Sequence, residues 1–277
     1  MRWRRLTRNR LSFIALCVIL AVTLASLFAP WLAPYDPDNP DAEATLVSVS
    51  LRHPLGTDVY GRDQLSRLIH AGRVDLLVAL SATAIALTLG SALGAGAGYR
   101  GGWVDQLVMR GVDAVMAFPA FILAMAITAA LGNSIANVVA AIAITHVPIY
   151  TRLIRGEMLR VRETEYAEAA RTVGNRPHQI VLYHLLPNCV PPLVVQATLA
   201  MGFAILTVAA LSFIGLGIQP PQSEWGQMTA EGAGYVVSGE WWLVLFPGFA
   251  IMLTVLAFNL VGDTLRDLLD PRMRGVR

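Results

Sequence analysis

The 277-residue sequence predicts an all-α polytopic membrane protein with six transmembrane helices. Three observations predict it. Hydrophobic residues make up 55% of the chain and charged residues 14%, well below the roughly 25% of a soluble domain. The charges are bunched, so that residues 11–35, 76–99, 114–151, 177–223 and 241–262 contain no Asp, Glu or Arg, and each stretch reaches the roughly 20 apolar residues that cross hydrocarbon as helix. Within these stretches hydrophobicity is continuous, whereas a barrel strand alternates apolar and polar over about ten residues.

The first span covers about residues 11–29. Its flank of Arg2, Arg4, Arg5, Arg8 and Arg10 is like that of a signal peptide, but 19 apolar residues exceed the usual run of about 7–15. Pro30 stands where a small-residue cleavage site is wanted, so the span reads as a retained anchor. Pro30 and Pro34, then Asp36, Asp38, Asp41 and Glu43, open an external connector that ends near Arg73; the glycine turn and closing glutamate of a calcium loop are missing from it. Residues 64–72 predict a short amphipathic helix on the outer surface with Leu65, Leu68 and Ile69 on one side. The second span is 76–99, where Gly90, Gly94 and Gly98 recur on one face and predict close helix packing. Residues 114–151 are too many for one span, and Gly132-Asn133-Ser134 divides them into spans at 114–131 and 135–151 joined by a tight turn. The fifth and sixth spans are 189–218 and 241–262.

Arginine placement orients the bundle, because basic residues in short loops stay cytoplasmic. With six spans both termini share a side, which holds 17 arginines (the five of the N-terminal flank, then Arg100, Arg110, Arg152, Arg155, Arg160, Arg162, Arg171, Arg176, Arg266, Arg272, Arg274 and Arg277). The other side holds only Arg52, Arg62, Arg67 and Arg73. Both termini are therefore expected inside.

The residue inventory excludes several chemistries. All 21 basic residues are arginine, so the lysine of a nucleotide-binding P-loop is absent and this chain has no such ATP site of its own. Schiff-base and Ser-Lys mechanisms are excluded with it. Cys17 and Cys189 lie in apolar runs without metal-ligand spacing and read as small buried hydrophobes. No metal, cofactor or nucleic-acid partner is expected for the chain.

The internal loop at about 152–187 carries most of the charge in the middle of the chain. Residues 155–173 predict a helix, with Met158, Val161, Ala169, Ala170 and Val173 as its apolar stripe and Glu163, Glu165 and Glu168 in water. Gly174 and Asn175 stop it, Pro177 starts a second helix, and Pro187 ends that one. A helix-glycine-helix of this kind is a rigid handle, with small residues for close approach and Glu168 and Arg171 for register. The plainer reading is a solvated surface hairpin.

Within that loop, Glu168-Ala169-Ala170, Gly174 after three intervening residues, and Leu186-Pro187 resemble the EAA loop of ABC importer permeases. His184-Leu185-Leu186-Pro187-Asn188 has a histidine where the general pattern is aliphatic, and is similar to the peptide subgroup. His53-Pro54-Leu55-Gly56-Thr57-Asp58 with Gly61-Arg62-Asp63 and Ser66-Arg67 agrees with that subgroup. So does Leu211-Ser212-Phe213-Ile214-Gly215-Leu216-Gly217 with Gln219-Pro220-Pro221 and Trp225-Gly226. The resemblance covers nearly the whole chain and is to the second, C-type permease of dipeptide, oligopeptide and nickel importers. It implies an ATP-driven ABC importer of peptides or a related small solute, in a bacterial or archaeal cytoplasmic membrane. Residues 1–73 would be an anchor helix and external segment, and 74–277 a five-helix permease core. The partners implied are a second homologous permease, two cytosolic ATPase subunits carrying the ATP and magnesium, and an extracytoplasmic solute-binding protein. Glu168, Ala169, Ala170, Arg171, Gly174, His184, Leu186 and Pro187 would couple to the ATPases.

Other candidates are weighed residue by residue. Thr128, Asn133, Asn137, His146, Gln196, Thr207 and Asn259 are polar groups within spans and candidates for a translocation path, or else bonds between helices. Gly56, Thr57, Asp58, Gly61, Arg62 and Asp63 form either an external gate or docking element, on the resemblance, or turn and cap chemistry with Asp63 capping the next helix. The alternative function is an ion-coupled secondary transporter, which usually keeps ionisable relays inside its spans; none lies within these span cores. A membrane-embedded hydrolase is weaker still, since His146 has no acidic neighbour in sequence.

Overall fold

The computed structural model describes residues 10–269, all of whose extended regular structure is helical. The flanking Arg2, Arg4, Arg5, Arg8, Arg272, Arg274 and Arg277 lie outside the described residues. In chain order the helices are α1 (Arg10–Leu27), α2 (Ala29–Leu32), α3 (Gln64–Arg100), α4 (Gly102–Met116), α5 (Ala120–Leu131) and α6 (Ile135–Val161). They continue with α7 (Glu165–Thr172), α8 (Pro177–Gln179), a π-helical stretch at Ile180–Leu185, α9 (Leu186–Phe213), α10 (Trp225–Ala233) and α11 (Trp242–Leu269). Five helices are long and apolar enough to cross a membrane, and six spans result if the bent pair α4 and α5 counts as one.

Four expectations need correction. The short outer helix and the second span are one 37-residue helix, α3, and its outer turns bury Gln64, Ser66 and Arg67 while Leu65, Leu68 and Ile69 are only half-buried. Apolar periodicity misses this because the buried groups are polar and paired. The third span does not begin at residue 114. The chain turns by 85° between α4 and α5, where Phe118 precedes Pro119 and is pushed out of helical conformation. At 12 residues α5 is about 18 Å long, well short of a 30 Å hydrocarbon core.

The fourth span continues past Arg152 and Arg155 to Val161, so the expected helix at 155–173 is split, and only Glu165–Thr172 forms a separate helix. Nor does Pro187 end a helix. It occupies the first turn of α9, where a missing N–H costs nothing, and the π-helical stretch before it, with Leu186 N donating to the Val181 carbonyl, carries the chain on without a break. Residues 177–213 thus form one 37-residue apolar helical run.

The most extensive helix pair is α3 against α6. A side chain at Gly90 would meet Tyr150 and the Val147 carbonyl, one at Gly94 the Thr151 carbonyl, and one at Gly98 Met158 and the Arg155 carbonyl. The four-residue spacing therefore brings two backbones together, as the sequence predicts. One buried cluster joins Val78, Ala82, Ile142, Ile205 and Leu211 at mid-bundle, and another joins Tyr150, Ile154, Met158, Ala167, Ala170, Ile180 and Leu185 beneath the 162–185 segment. Helix α1 packs its Ala15 side on α11 and leaves Cys17 exposed, correcting that residue's expected burial; Cys189 is buried as expected.

Candidate functional site

The 162–185 segment is an elbow. Helix α6 ends at Arg162, whose guanidinium donates to the Gly98 carbonyl at 2.8 Å and so ties the bend to the end of α3. Thr164 sits at the N-cap of α7, and its hydroxyl donates back to the Val161 carbonyl. Arg171 reaches across the bend to the Arg162 carbonyl at 3.0 Å. At the far end Asn175 N donates to the Ala170 carbonyl and Gly174 N to the Arg171 carbonyl, with Gly174 at φ +88. This is a Schellman stop, and it requires the left-handed conformation that glycine adopts without steric cost. Pro177 then opens the second limb, where Gln179 Oε1 accepts from Arg176 N at 3.0 Å.

Two sides of this elbow differ. Ala167 and Ala170 are buried against Met158, Val161, Ile180 and Leu185. Glu168, Ala169, Arg171, Gly174, His184 and Pro187 face outward, Leu186 is half-buried, and Val173 is 82% exposed. The expected stripe is thereby corrected: Ala169 and Val173 do not share the inner face with Met158, Val161 and Ala170, because the break at residues 162–164 resets the helical phase. Close approach from outside is available at Ala169 and Gly174; Ala170 acts by letting α7 lie flat on the bundle.

Behind the elbow α4 is pinned to α6 by Asp105, which accepts from Nε and Nη2 of Arg155, and by Asp113, which accepts from Arg152 Nη2 at 2.6 Å. The sequence does not single out this brace, since Asp105 and Asp113 carry no motif.

On the opposite face of the bundle the 28–63 segment is a strap. Asp63 caps α3, accepting from Ser66 N and Oγ at 2.8 Å each, while its other oxygen meets His53 Nδ1 at 2.9 Å. Tyr35 stacks on His53 with centroids 4.9 Å apart. Asp58 accepts from Arg62 Nε at 2.7 Å and from Arg67 Nη1, and Arg67 Nη1 also meets Glu231 of α10 at 2.9 Å. Thr57 donates to the Ala44 carbonyl, and its own carbonyl accepts from Trp242 Nε1 at 3.2 Å. Gly56 and Gly61 have φ of +77 and +76 and are closely overlaid by Trp242 and by the Asp41 carbonyl. Thr57, Asp58, Arg62 and Asp63 are all under 9% exposed, so the polar groups of this motif face inward, in turn, cap and ion-pair roles.

Sequence reasoning overlooked a second polar centre there. Asp75, fully buried on α3, accepts from Trp225 N at 3.2 Å and faces Glu224, which caps α10 by accepting from Gly226 N and Gln227 N at 2.8 and 2.7 Å. Ser212 at the end of α9 donates to Glu224 and accepts from Ile218 N. Burial pushes the Glu224 carboxyl above its ordinary range. Asp75 falls one residue outside the span at 76–99, and Glu224 one residue beyond the apolar run at 177–223, so the apolar runs end just short of both.

The seven candidate path residues are not brought together. Thr128 is fully buried, and its hydroxyl donates to the Ala124 and Met125 carbonyls of its own helix. Asn133 donates to the Gly215 carbonyl, and Asn137 to the Leu131 and Gly132 carbonyls, closing the α5–α6 turn. His146 Nδ1 meets the Ile142 carbonyl at 2.8 Å, and Thr207 donates to the Phe203 carbonyl. Gln196 lines a cavity of about 480 Å³ with Glu157, Arg160 and Arg266, while half-buried Asn259 lies near Gly202.

The described residues thus form a helical bundle with a braced elbow at one face and a buried polar strap at the other. The family described as the binding-protein-dependent transport system inner membrane component matches residues 90–275, and the N-terminal transmembrane domain of oligopeptide transport permease C matches residues 1–51. The chain belongs to this family, as a transmembrane permease subunit of an ABC importer. It is 44% identical over 274 residues to the dipeptide transport system permease protein DppC of Alkalihalophilus pseudofirmus, covering 98% of this chain and 89% of that one. It is 46% identical over 258 residues to the probable D,D-dipeptide transport system permease protein DdpC of Escherichia coli K12, covering 93% and 86%. The glutathione transport system permease protein GsiD of Escherichia coli O6:K15:H31 is 42% identical over 274 residues, covering 99% and 90%.

Proposed function

We propose that this permease moves peptides, or a closely related small solute, into the cytoplasm of a prokaryotic cell, pairing with a second homologous permease. Two cytosolic ATPase subunits bind the elbows, and an extracytoplasmic binding protein delivers the solute on the strapped face. Both termini are cytoplasmic in this reading, and the membrane is the cytoplasmic one. One observation carries it: α7 is fixed to the bundle through Ala167 and Ala170 yet presents Glu168, Ala169, Val173 and Gly174 outward. A lever must be stiff toward the load and open toward the motor. The absence of lysine agrees, because the motor is then another polypeptide. The peptide assignment rests on the relatives named for dipeptides and glutathione.

The test is Gly174→Asp. A side chain at Gly174 meets nothing of this chain within 4 Å, so the bundle is expected to insert and pair normally, at a conformational cost of about 1 kcal/mol. A charged side chain at the tip is expected to reduce both recovery of co-purified ATPases and solute uptake. Glu168→Arg is expected to give a milder loss, since one reversed charge at a wet contact disturbs affinity less than steric exclusion. Normal ATPase recovery with normal uptake for Gly174→Asp would reduce the elbow to a surface hairpin.

A further inference from the structure

A groove of about 660 Å³ runs between the inner half of α3 and the second limb of the elbow with the start of α9. It is apolar along Leu87, Val181, Leu182 and Val190, and at one end it reaches Arg100 and His178. From Leu87 to Arg100 the helix rises about 20 Å, against about 15 Å for half of a bilayer's hydrocarbon core. Tyr99 lines the same end, at the level where aromatic side chains mark a membrane surface. Arg100 is exposed and, like Arg110, Arg171, Arg176 and Arg266 on the same face, enters none of the ion pairs found among the described residues; among these arginines it is the one that lines the groove.

An apolar channel about one leaflet long that ends in an unpaired guanidinium has the polarity of an amphiphile with an anionic head. We propose that this groove binds one anionic phospholipid of the leaflet beside the elbow, its acyl chain lying along α3 and its phosphate held by Arg100, with the His178 ring as a second hydrogen-bonding group. The lipid would then touch the bundle and the moving limb at once, so the membrane's anionic lipid content bears on how stiffly the elbow is held. This rests on the elbow lying at a membrane surface and not on the identity of the solute.

The experiment uses the full-length chain, purified with its partners and reconstituted in phosphatidylethanolamine bilayers containing photoactivatable phosphatidylglycerol or, in parallel, photoactivatable phosphatidylcholine. Labelled peptides are located by mass spectrometry. Phosphatidylglycerol is expected to label residues 87–100 and 177–193 about fivefold more strongly than phosphatidylcholine, the scale of one basic group at an anionic surface, and Arg100→Gln is expected to abolish that preference. Gly96→Leu is expected to remove the labelling by filling the groove, since a Cβ there meets nothing within 4 Å. Equal labelling by both lipids, unchanged by Arg100→Gln, would overturn the proposal. So would absent labelling together with disulfide trapping of Leu182→Cys to the companion permease, which would make the groove a protein interface. The readout is independent of uptake: loss of transport in Gly174→Asp without any change in lipid labelling separates the two proposals.

Discussion

At the scale of single residues, one buried carboxyl beside the strapped face bears on how stability depends on pH. Glu224 is held by Gly226 N and Gln227 N and faces Asp75, and burial raises its affinity for a proton in the folded state. A carboxyl whose folded pKa is raised contributes stability below its unfolded value and loses it as pH climbs through the folded one. Melting temperature of the purified permease is therefore expected to fall as pH rises from the acid side. Glu224→Gln is expected to flatten that slope, since it removes the carboxyl that burial shifts while its amide oxygen still accepts from the backbone N–H groups of α10. An unchanged slope would show that Glu224 does not carry the pH dependence. The glycines make a cleaner contrast. Gly94→Leu is expected to lower stability by about 1–3 kcal/mol or more, because its side chain would lie on the Thr151 carbonyl. Gly96→Ala, two residues on and on the opposite face with open space around it, is expected to be neutral or to gain up to about 1 kcal/mol in thermal unfolding.

At the scale of elements, the strap and the elbow are built on opposite physical logic. The strap is held by buried charge: Arg67 is 1% exposed and links Asp58 to Glu231. Arg67→Met leaves Asp58 with Arg62 alone and weakens the link to α10, so a loss of about 3–5 kcal/mol is expected, read as the yield of folded protein in detergent. The elbow is held by small apolar contacts. Ala170→Leu is expected to push α7 off Ile180 and Leu185, raising protease cleavage within residues 162–185, whereas Ala169→Leu on the exposed side is expected to leave cleavage unchanged while reducing ATPase recovery. Equal cleavage in both variants would contradict the two-sided picture of this helix.

At the scale of the whole molecule, the prediction is orientation. Cysteines placed at Ser48 in the strap and Ser238 after α10 are expected to react with an impermeant thiol reagent in intact cells, and one at Thr164 in the elbow is expected to be silent. Labelling of Thr164→Cys would invert the assignment. Purified alone, this permease is expected to show no ATPase activity, and solute-stimulated hydrolysis is expected to appear only with its partners. Appreciable hydrolysis by the lone chain would remove the reason for a separate motor.

The sequence by itself determined the helical class, the number of candidate spans, the packing face of Gly90, Gly94 and Gly98, the cap at Asp63 and the glycine stop at Gly174. Each of these is local: a run of apolar residues, a four-residue spacing, or one residue whose backbone conformation is constrained by its neighbours. Tertiary structure alone decided which way the elbow faces, that α4 and α5 meet at 85°, and that Arg67, Asp75 and Glu224 lie inside, with half-buried Glu231 against Arg67. Charged residues are buried only where a partner distant in sequence meets them, and Arg67 and Glu231 are 164 positions apart. Pro187 marks the same boundary from the other side. Locally it reads as a stop, yet the π-helical turn before it and the packing of Leu185 and Cys189 against α6 and α7 carry the helix through. What a residue does to its own turn was legible in the sequence; what surrounds that turn was decided by segments far along the chain.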